Sequence, residues 1–217
     1  MILFINPNAS AHMTGSIVAA ARAALPGRAV LGWTNLDGPE VIQGAEDGAA
    51  AVPGLLALLP AAREAGAEVI VIACFDDTGL AEARAAAHCP VIGIGQAGFH
   101  AAALLGARFG VLTTVPEAVP VIAGNIAALG FGAACTEVRP SGFGVLAVEE
   151  GAPEVLAALR AEIAGLAGQG AETVVLGCAG MCGHRAALQD GAPVRVIDGV
   201  RAAALLAAAL VGVVADG

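Results

Sequence analysis

Glu68-Val69-Ile70-Val71-Ile72-Ala73-Cys74 and Glu172-Thr173-Val174-Val175-Leu176-Gly177-Cys178 stand 104 positions apart and share one pattern: an acidic residue, four β-branched or aliphatic residues, a small residue and a cysteine. Runs this short and this continuously apolar suit strands buried on both faces, which belong to a parallel sheet covered by helices. After small shifts, Cys89-Pro90-Val91-Ile92 parallels Ala192-Pro193-Val194-Arg195. Each half of the chain therefore reads as a strand ending in cysteine, a glycine-bearing turn, a helix, a proline and a second strand.

Further strands are expected at Ile2 to Ile5, Val91 to Ile94, Gly110 to Thr113 and Val194 to Ile197. Alanine-rich stretches of helix length lie between them: Ser16 to Leu25, Val52 to Ala65, Leu80 to Ala87, Glu117 to Leu129, Pro153 to Leu166 and Arg201 to Val214. The fold class is α/β, as two pseudo-symmetric, doubly wound parallel-sheet halves with the active site in the cleft between them. The division is expected near residues 96–99, giving halves 1–97 and 98–199, with a C-terminal helix over 200–217 returning to the first half.

Composition narrows the function. The chain has 217 residues, 58% hydrophobic and 13% charged, with a formal charge of -9, which describes a folded protein large enough for a core without disulfide or metal staples. Its ten basic residues are all arginine and are scattered singly, so no nucleic acid partner is expected. There is no lysine, which excludes a pyridoxal phosphate Schiff base and a P-loop lysine, and no tyrosine. Acid and base chemistry falls to Cys, His, Asp or Glu.

No membrane partner is expected either. Residues 85–107 lack formal charge but contain Pro90, Gly93, Gly95, Gln96, Gly98 and two histidines. The apolar tail from Ala202 to Ala215 has only 14 residues, where a span needs about 20. Met1 to Asn6 lacks a basic leader and reads as a buried strand, so a cytoplasmic location is expected, with five reduced cysteines.

Cys74 and Cys178 at strand C-termini would present their thiols where open α/β folds bind ligands. Backbone N–H groups and a following helix N-terminus would favour the thiolate. Two thiols on opposite faces of a carbon permit a two-base proton transfer that inverts it, and the amides around Gly177, Ala179 and Gly180 would be placed to stabilise an enolate oxygen. Cys89, Cys135 and Cys182 lack symmetric counterparts and read as structural thiols.

Several motifs now carry a resemblance. Ile5-Asn6-Pro7-Asn8, Gly38-Pro39-Glu40 followed by Ile42 and Gly44, Cys74-Phe75-Asp76-Asp77-Thr78-Gly79-Leu80, Phe99-His100, Thr113-Thr114, Leu176-Gly177-Cys178-Ala179-Gly180-Met181 and Val196-Ile197-Asp198-Gly199-Val200 occur in order over nearly the whole chain. Together they resemble the hydantoin racemase branch of the aspartate/glutamate racemase superfamily. The resemblance implies two pseudo-symmetric α/β halves, no cofactor, no metal, a small-molecule substrate, self-assembly as a homo-oligomer, and one catalytic cysteine from each half, Cys74 and Cys178. It also implies that Asn8, Ile42, Phe75, Asp76, Thr113, Thr114, Ala179 and Gly180 line the substrate pocket. Gln43 and Gln96 depart from the glutamates common in the family, and Thr78 from a proline.

Alternative roles stand beside these. Asp76 either binds a substrate ring N–H or satisfies orphan N–H groups of the helix after it, and Asp77 is assigned to capping that helix. Asn8 holds a turn or contacts ligand; Thr113 and Thr114 bond a substrate carbonyl or the local backbone. His100 and His184 read as solvated or core residues, and Asp198 as an N-cap.

The expected activity is racemisation at C5 of a 5-substituted hydantoin, with allantoin the nearest alternative substrate. Amino-acid racemisation fits less well, because its enzymes resemble one another in Cys-Asn-Thr and Cys-Thr-His runs, replaced here by Cys74-Phe75-Asp76 and Cys178-Ala179-Gly180. A decarboxylase with only the second thiol is disfavoured by Cys74. From other classes, Cys74, Cys178, Cys182 and His184 would form a zinc-binding module, or the two lobes a solute-binding protein without catalysis.

Overall fold

The computed structural model describes residues 1–106 and 108–214. Its strands begin with β1 (Ile2–Asn6), buried throughout, and continue with β2 (Val30–Thr34), β3 (Val69–Ile72) and β4 (Val91–Gly93). They form one parallel sheet in the order β2-β1-β3-β4. The second set, β5 (Phe109–Thr113), β6 (Cys135–Pro140), β7 (Thr173–Leu176) and β8 (Arg195–Asp198), forms a second parallel sheet in the order β6-β5-β7-β8. The two orders are the same, and β3 and β7 occupy the same place in each, so the repeated sequence is a repeated topology.

The apolar-run reading finds the inner strands β1, β3, β5 and β7 and the outer strands β4 and β8, but misses β2 and β6. Both are edge strands. Val30-Leu31-Gly32-Trp33-Thr34 is mostly half-buried, and Cys135-Thr136-Glu137-Val138-Arg139-Pro140 is half-buried at every position. A strand with a pairing partner on one side only does not need continuous apolarity, and Pro140 is tolerated at such an edge.

Helices join the strands. The first sheet is covered by α1 (Ala11–Ala24), α2 (Ala45–Ala57), α3 (Leu59–Glu64) and α4 (Leu80–Ala86). The expected helix at Val52 to Ala65 is α3 with the end of α2. From β4 the chain enters α5 (Ile94–Leu104) directly, a helix absent from the expected set. Then follow α6 (Val119–Ala128), α7 (Val145–Glu150), α8 (Pro153–Gly168), α9 (Arg185–Gln189) and α10 (Gly199–Val214). Residues 97 and 98 lie within α5, which packs on both β4 and β7. Positions 215–217 of the expected final helix lie outside the described residues, as does Ala107. Among the described residues no helix is long and apolar enough to cross a membrane.

Alternation along the buried strands sets the layers. Ile2, Phe4, Val69 and Val71 from the first sheet meet Phe109, Val111 and Val175 from the second in one core, through α1, α5, α6 and α10. The opposite faces pack outward: Leu3, Ile5, Ile70 and Ile72 against α2 and α3, and Leu112, Val174 and Leu176 against α8. Ala203, Ala204 and Ala207 are fully buried on α10, where their small side chains allow it to pack closely on α5, α1 and β3. The shared central layer holds the C-terminal ends of the two sheets against a common cleft.

Candidate active site

Residues just beyond the inner strands make the cleft. Asn8 follows β1; Ala73, Cys74, Phe75 and Asp76 follow β3; Thr113 ends β5 and Thr114 follows it; Gly177, Cys178 and Ala179 follow β7. Met13, Ile42, Ala118 and Val145 complete the walls, around about 370 Å³ of empty space, its open mouth included. Thus Asn8, Ile42, Phe75, Asp76, Thr113, Thr114, Ala179 and both cysteines come together at one place. Gly180 is the exception: it is not part of the lining, and its backbone N–H turns toward the Cys178 sulfur.

Each cysteine keeps some surface in the cleft while protein surrounds the rest of it, and all five cysteines are free thiols. Burial dominates the chemistry of the pair. It pushes the Cys178 thiol up to about 12, against the pull of the Gly180 and Met181 N–H groups. Cys74 is raised further, by burial first and then by the Asp76 charge, while the Thr78 side chain and the Asp76 N–H favour its thiolate. The Thr78 hydroxyl is buried and has no hydrogen-bond partner elsewhere, which leaves it available to the Cys74 sulfur.

The expected helix-dipole activation is therefore corrected. Phe75 to Gly79 separate Cys74 from α4, and Cys178 runs into a short 3-10 turn (Ala179–His184) instead of an α-helix. A macrodipole acts only near its first turn, so desolvation of the thiolate outweighs it. The amides of Gly180 and Met181 turn toward the Cys178 sulfur.

Neighbouring aspartates diverge. Asp77 Oδ1 accepts the Gly95 N–H at 2.9 Å and Oδ2 accepts the Gln96 N–H at 2.7 Å. It does cap a helix, but that helix is α5, not the adjacent α4, whose N-terminus is formed by Gly79. Gly93 is required there, since a Cβ at this position would overlap the Asp77 carboxylate. Asp76 Oδ2, by contrast, is buried without any partner, and burial lifts this carboxyl to about 7.

The other polar residues have local duties. Asn8 Oδ1 accepts from Asn6 Nδ2 at 2.7 Å and from the Ser10 N–H at 2.9 Å, and its own Nδ2 faces Met13 Sδ. Thr113 Oγ1 donates to the Gly177 carbonyl at 3.0 Å, leaving its lone pairs to accept from a ligand. Phe75 packs edge-on against Phe99, 5.4 Å between centroids, and Phe99 stacks on Phe109 at 6.0 Å, fixing this wall to the central core. Asp198 caps α10 through the Val200 and Arg201 N–H groups, as expected.

Histidines stay out of the cleft. His100 Nδ1 lies 2.8 Å from the Gln96 carbonyl and His184 Nε2 lies 2.9 Å from the Glu149 carbonyl. Among the described residues no group of three or more His, Cys, Asp or Glu side chains is arranged to hold a metal ion, so the Cys74, Cys178, Cys182 and His184 set is not assembled.

Sequence reasoning missed two contacts that join the halves beside the cleft. Gln43 Oε1 accepts the Val145 N–H at 3.0 Å, and Glu149 Oε1 lies 2.8 Å from Nδ1 of exposed His12, so both ends of α7 are tied to the chain around the first sheet. The glycines Gly142, Gly144 and Gly151 around α7 were the available signal. Gln96, the other departure from the resembled family, accepts from Arg84 at 2.6 Å on the protein surface.

Comparison with known proteins adds an independent line. Residues 2–207 match the family described as Asp/Glu/Hydantoin racemase. The chain is 41% identical over 213 residues to a hydantoin racemase of Rhizobium meliloti, covering 97% of this chain and 88% of the relative. To a hydantoin racemase of Paenarthrobacter aurescens it is 33% identical over 213 residues, covering 97% and 90%. The fold matches the structure of an allantoin racemase from Klebsiella pneumoniae with a TM-score of 0.92 at 38% identity, covering 98% of this chain and 87% of that one.

Proposed function

Because the chain belongs to the Asp/Glu/hydantoin racemase family and is a racemase-type isomerase, we propose that it inverts C5 of 5-substituted hydantoins by proton transfer between Cys74 and Cys178, without a cofactor. The observation that carries this reading is the placement of the two cysteines at the ends of equivalent strands, β3 and β7, in one cleft. One cysteine, as thiolate, takes the C5 proton. The electron pair left on C5 delocalises onto the adjacent ring carbonyl as an enolate. The other cysteine, as thiol, returns a proton to the opposite face, so one turnover exchanges the thiol and thiolate roles and consumes no net proton.

A neutral ring suits the walls. Among the described residues lining the cleft there is no Arg or His to bind a substrate carboxylate, and Asp76 would repel one. In the proposed site Asn8, Thr113 and Thr114 supply polar contacts to the ring, Phe75 and Ile42 supply apolar walls, and Ala179 and Gly180 shape the backbone beside Cys178. Allantoin is the second reading, supported by the 38% identity to the Klebsiella pneumoniae allantoin racemase and by the free Asp76 Oδ2, which could accept a ureido N–H.

In this reading residues 1–97 and the C-terminal segment 200–217 serve as one catalytic half and residues 98–199 as the other. We also propose a cytoplasmic homo-oligomer, for which the exposed Leu104, Leu205 and Val213 on α5 and α10 offer apolar contact.

Replacement of either thiol tests the assignment. Cys74→Ser and Cys178→Ser should each lower the racemisation rate of a 5-alkyl hydantoin by about 10²–10⁴-fold, the range for a lost general acid or base, with thermal unfolding unchanged. A single variant that racemises both enantiomers at the normal rate would defeat the two-base assignment.

A further inference from the structure

Asp76 is held in place by its backbone and left free at its carboxyl. Its N–H turns to the Cys74 sulfur, and its carbonyl accepts Asn125 Nδ2 of α6 at 2.8 Å. The side chain lines the same cleft as both thiols, with Oδ2 buried and unpaired. A buried carboxylate normally finds a cation or several N–H donors. The next residue illustrates this, since both oxygens of Asp77 are bonded.

We propose that Asp76 is the common gate of the two cysteines: its ionised carboxylate holds both Cys74 and Cys178 in the thiol form, and neutralising this single carboxyl releases either one to act as a base. Asp76 is thus a positioning residue that acts through the sulfurs. Its charge opposes thiolate formation at both cysteines, and burial favours its own neutral form. Proton uptake neutralises it, and a substrate N–H donated to Oδ2 disperses its charge to the same effect. Such a donor is present in a ureide or imide ring, so substrate binding would itself arm the bases and leave the empty site inert.

The remaining charges near the pair do not share this role. Asp77 is committed to α5 and faces Arg84; Glu149 on α7 opposes Cys178 and is bonded to His12; Asp198 opposes Cys182 and caps α10. Asp76 lines the cleft beside both cysteines and opposes the ionisation of each.

The role of Asp76 as gate rests on the racemase reading only for its catalytic consequence, because the thiols can be titrated without substrate. The test is alkylation by iodoacetamide at pH 8, followed for each cysteine by peptide mass spectrometry, in the unmodified protein and in Asp76→Asn. Both Cys74 and Cys178 should react at least about threefold faster in the variant, a shift of half a pKa unit, with Cys89 unchanged. Cys89 serves as the control because it lies outside the cleft, packed with Leu3, Ile70 and Val91 on the other face of the first sheet. A rise at fewer than two of the cleft thiols overturns the proposal.

If the variant loosens and every cysteine reacts faster, the unmodified protein decides. As Asp76 ionises between pH 6 and 8, alkylation of Cys74 and Cys178 should rise by less than the roughly tenfold per unit expected of an isolated thiol, while Cys89 keeps the full slope. Equal slopes at all three overturn the proposal. Failure of the racemase reading would appear separately, as absent racemisation by the unmodified protein with the thiol titrations intact.

Discussion

The backbone N–H of Asp76 supports the sulfur of Cys74 while the side chain of the same residue opposes that sulfur's ionisation. These influences differ in what can change them. The backbone contribution is built into the turn after β3, but the carboxyl can gain a proton or a ligand. With burial also raising Cys178 to about 12, the empty cleft stores both cysteines as thiols.

That storage predicts the pH dependence of catalysis. If a thiolate is the base, kcat/KM increases as pH rises from 6 to 9, since the fraction of thiolate grows with pH below a raised pKa. The slope flattens near pH 7, where Asp76 ionises and opposes both thiols. A kcat/KM profile with a hydantoin enantiomer checks this, and a decline over the same range would contradict it.

Stability should respond to Asp76 with a definite sign. Its carboxyl is raised from 3.8 to about 7 in the folded protein, so folding favours the protonated form. The resulting stabilisation is complete below the unfolded value and is lost as pH rises through about 7. Asp76→Asn should therefore unfold about 2–4 °C above the unmodified protein at pH 8, if the gain is about 1 kcal/mol. The difference should shrink toward pH 4, as measured by thermal unfolding at each pH.

Asp77 has the opposite character as a substitution site. Removing its carboxylate with Asp77→Ala leaves the Gly95 and Gln96 N–H groups of α5 without their partners. Loss of a helix cap costs about 1–2 kcal/mol, which lowers the unfolding midpoint by about 2–8 °C for a chain of this size.

Gln43 gives a prediction about the wall of the cleft. Its side chain is the acceptor for the Val145 N–H at the start of α7. Gln43→Ala should speed hydrogen exchange at Val145 by about fivefold to tenfold, in line with a hydrogen bond worth about 1 kcal/mol. The amides of β5 and β7 should keep their protection, as an exchange experiment resolved by residue would show.

Much of the architecture was legible because the cysteine-bearing strands are buried on both faces, leaving little choice but apolar residues at Val69 to Ile72 and Thr173 to Leu176. The edges were not. Glu137 and Arg139 of β6 pair with one another on a half-buried strand, which removes the apolar run that marks its neighbours. Helix α5 was not expected, and Gly93 and Gly95 at its start give room to the Asp77 cap and the turn before it.

In the cleft, residues immediately after strands were readable from motif order. Met13, Ala118 and Val145 were not, because each reaches the cleft from a helix or its approach and resembles ordinary core in sequence. The Asp77 cap was foreseen in kind but placed on the wrong helix. An interaction between residues eighteen positions apart depends on β3 and β4 lying side by side, a relation that local capping rules do not contain.

The central claim is that Cys74 and Cys178 exchange protons with opposite faces of one carbon. The most direct measurement is racemisation of each enantiomer of a 5-alkyl hydantoin in D2O at early conversion, against buffer blanks, with deuterium at C5 counted separately in inverted product and recovered substrate. The two-cysteine account predicts deuterium in the inverted product and protium in the recovered substrate, from either enantiomer. Deuterium appearing as fast in recovered substrate as in product would contradict it, because that is the result of a single solvent-exchanging base that reaches both faces.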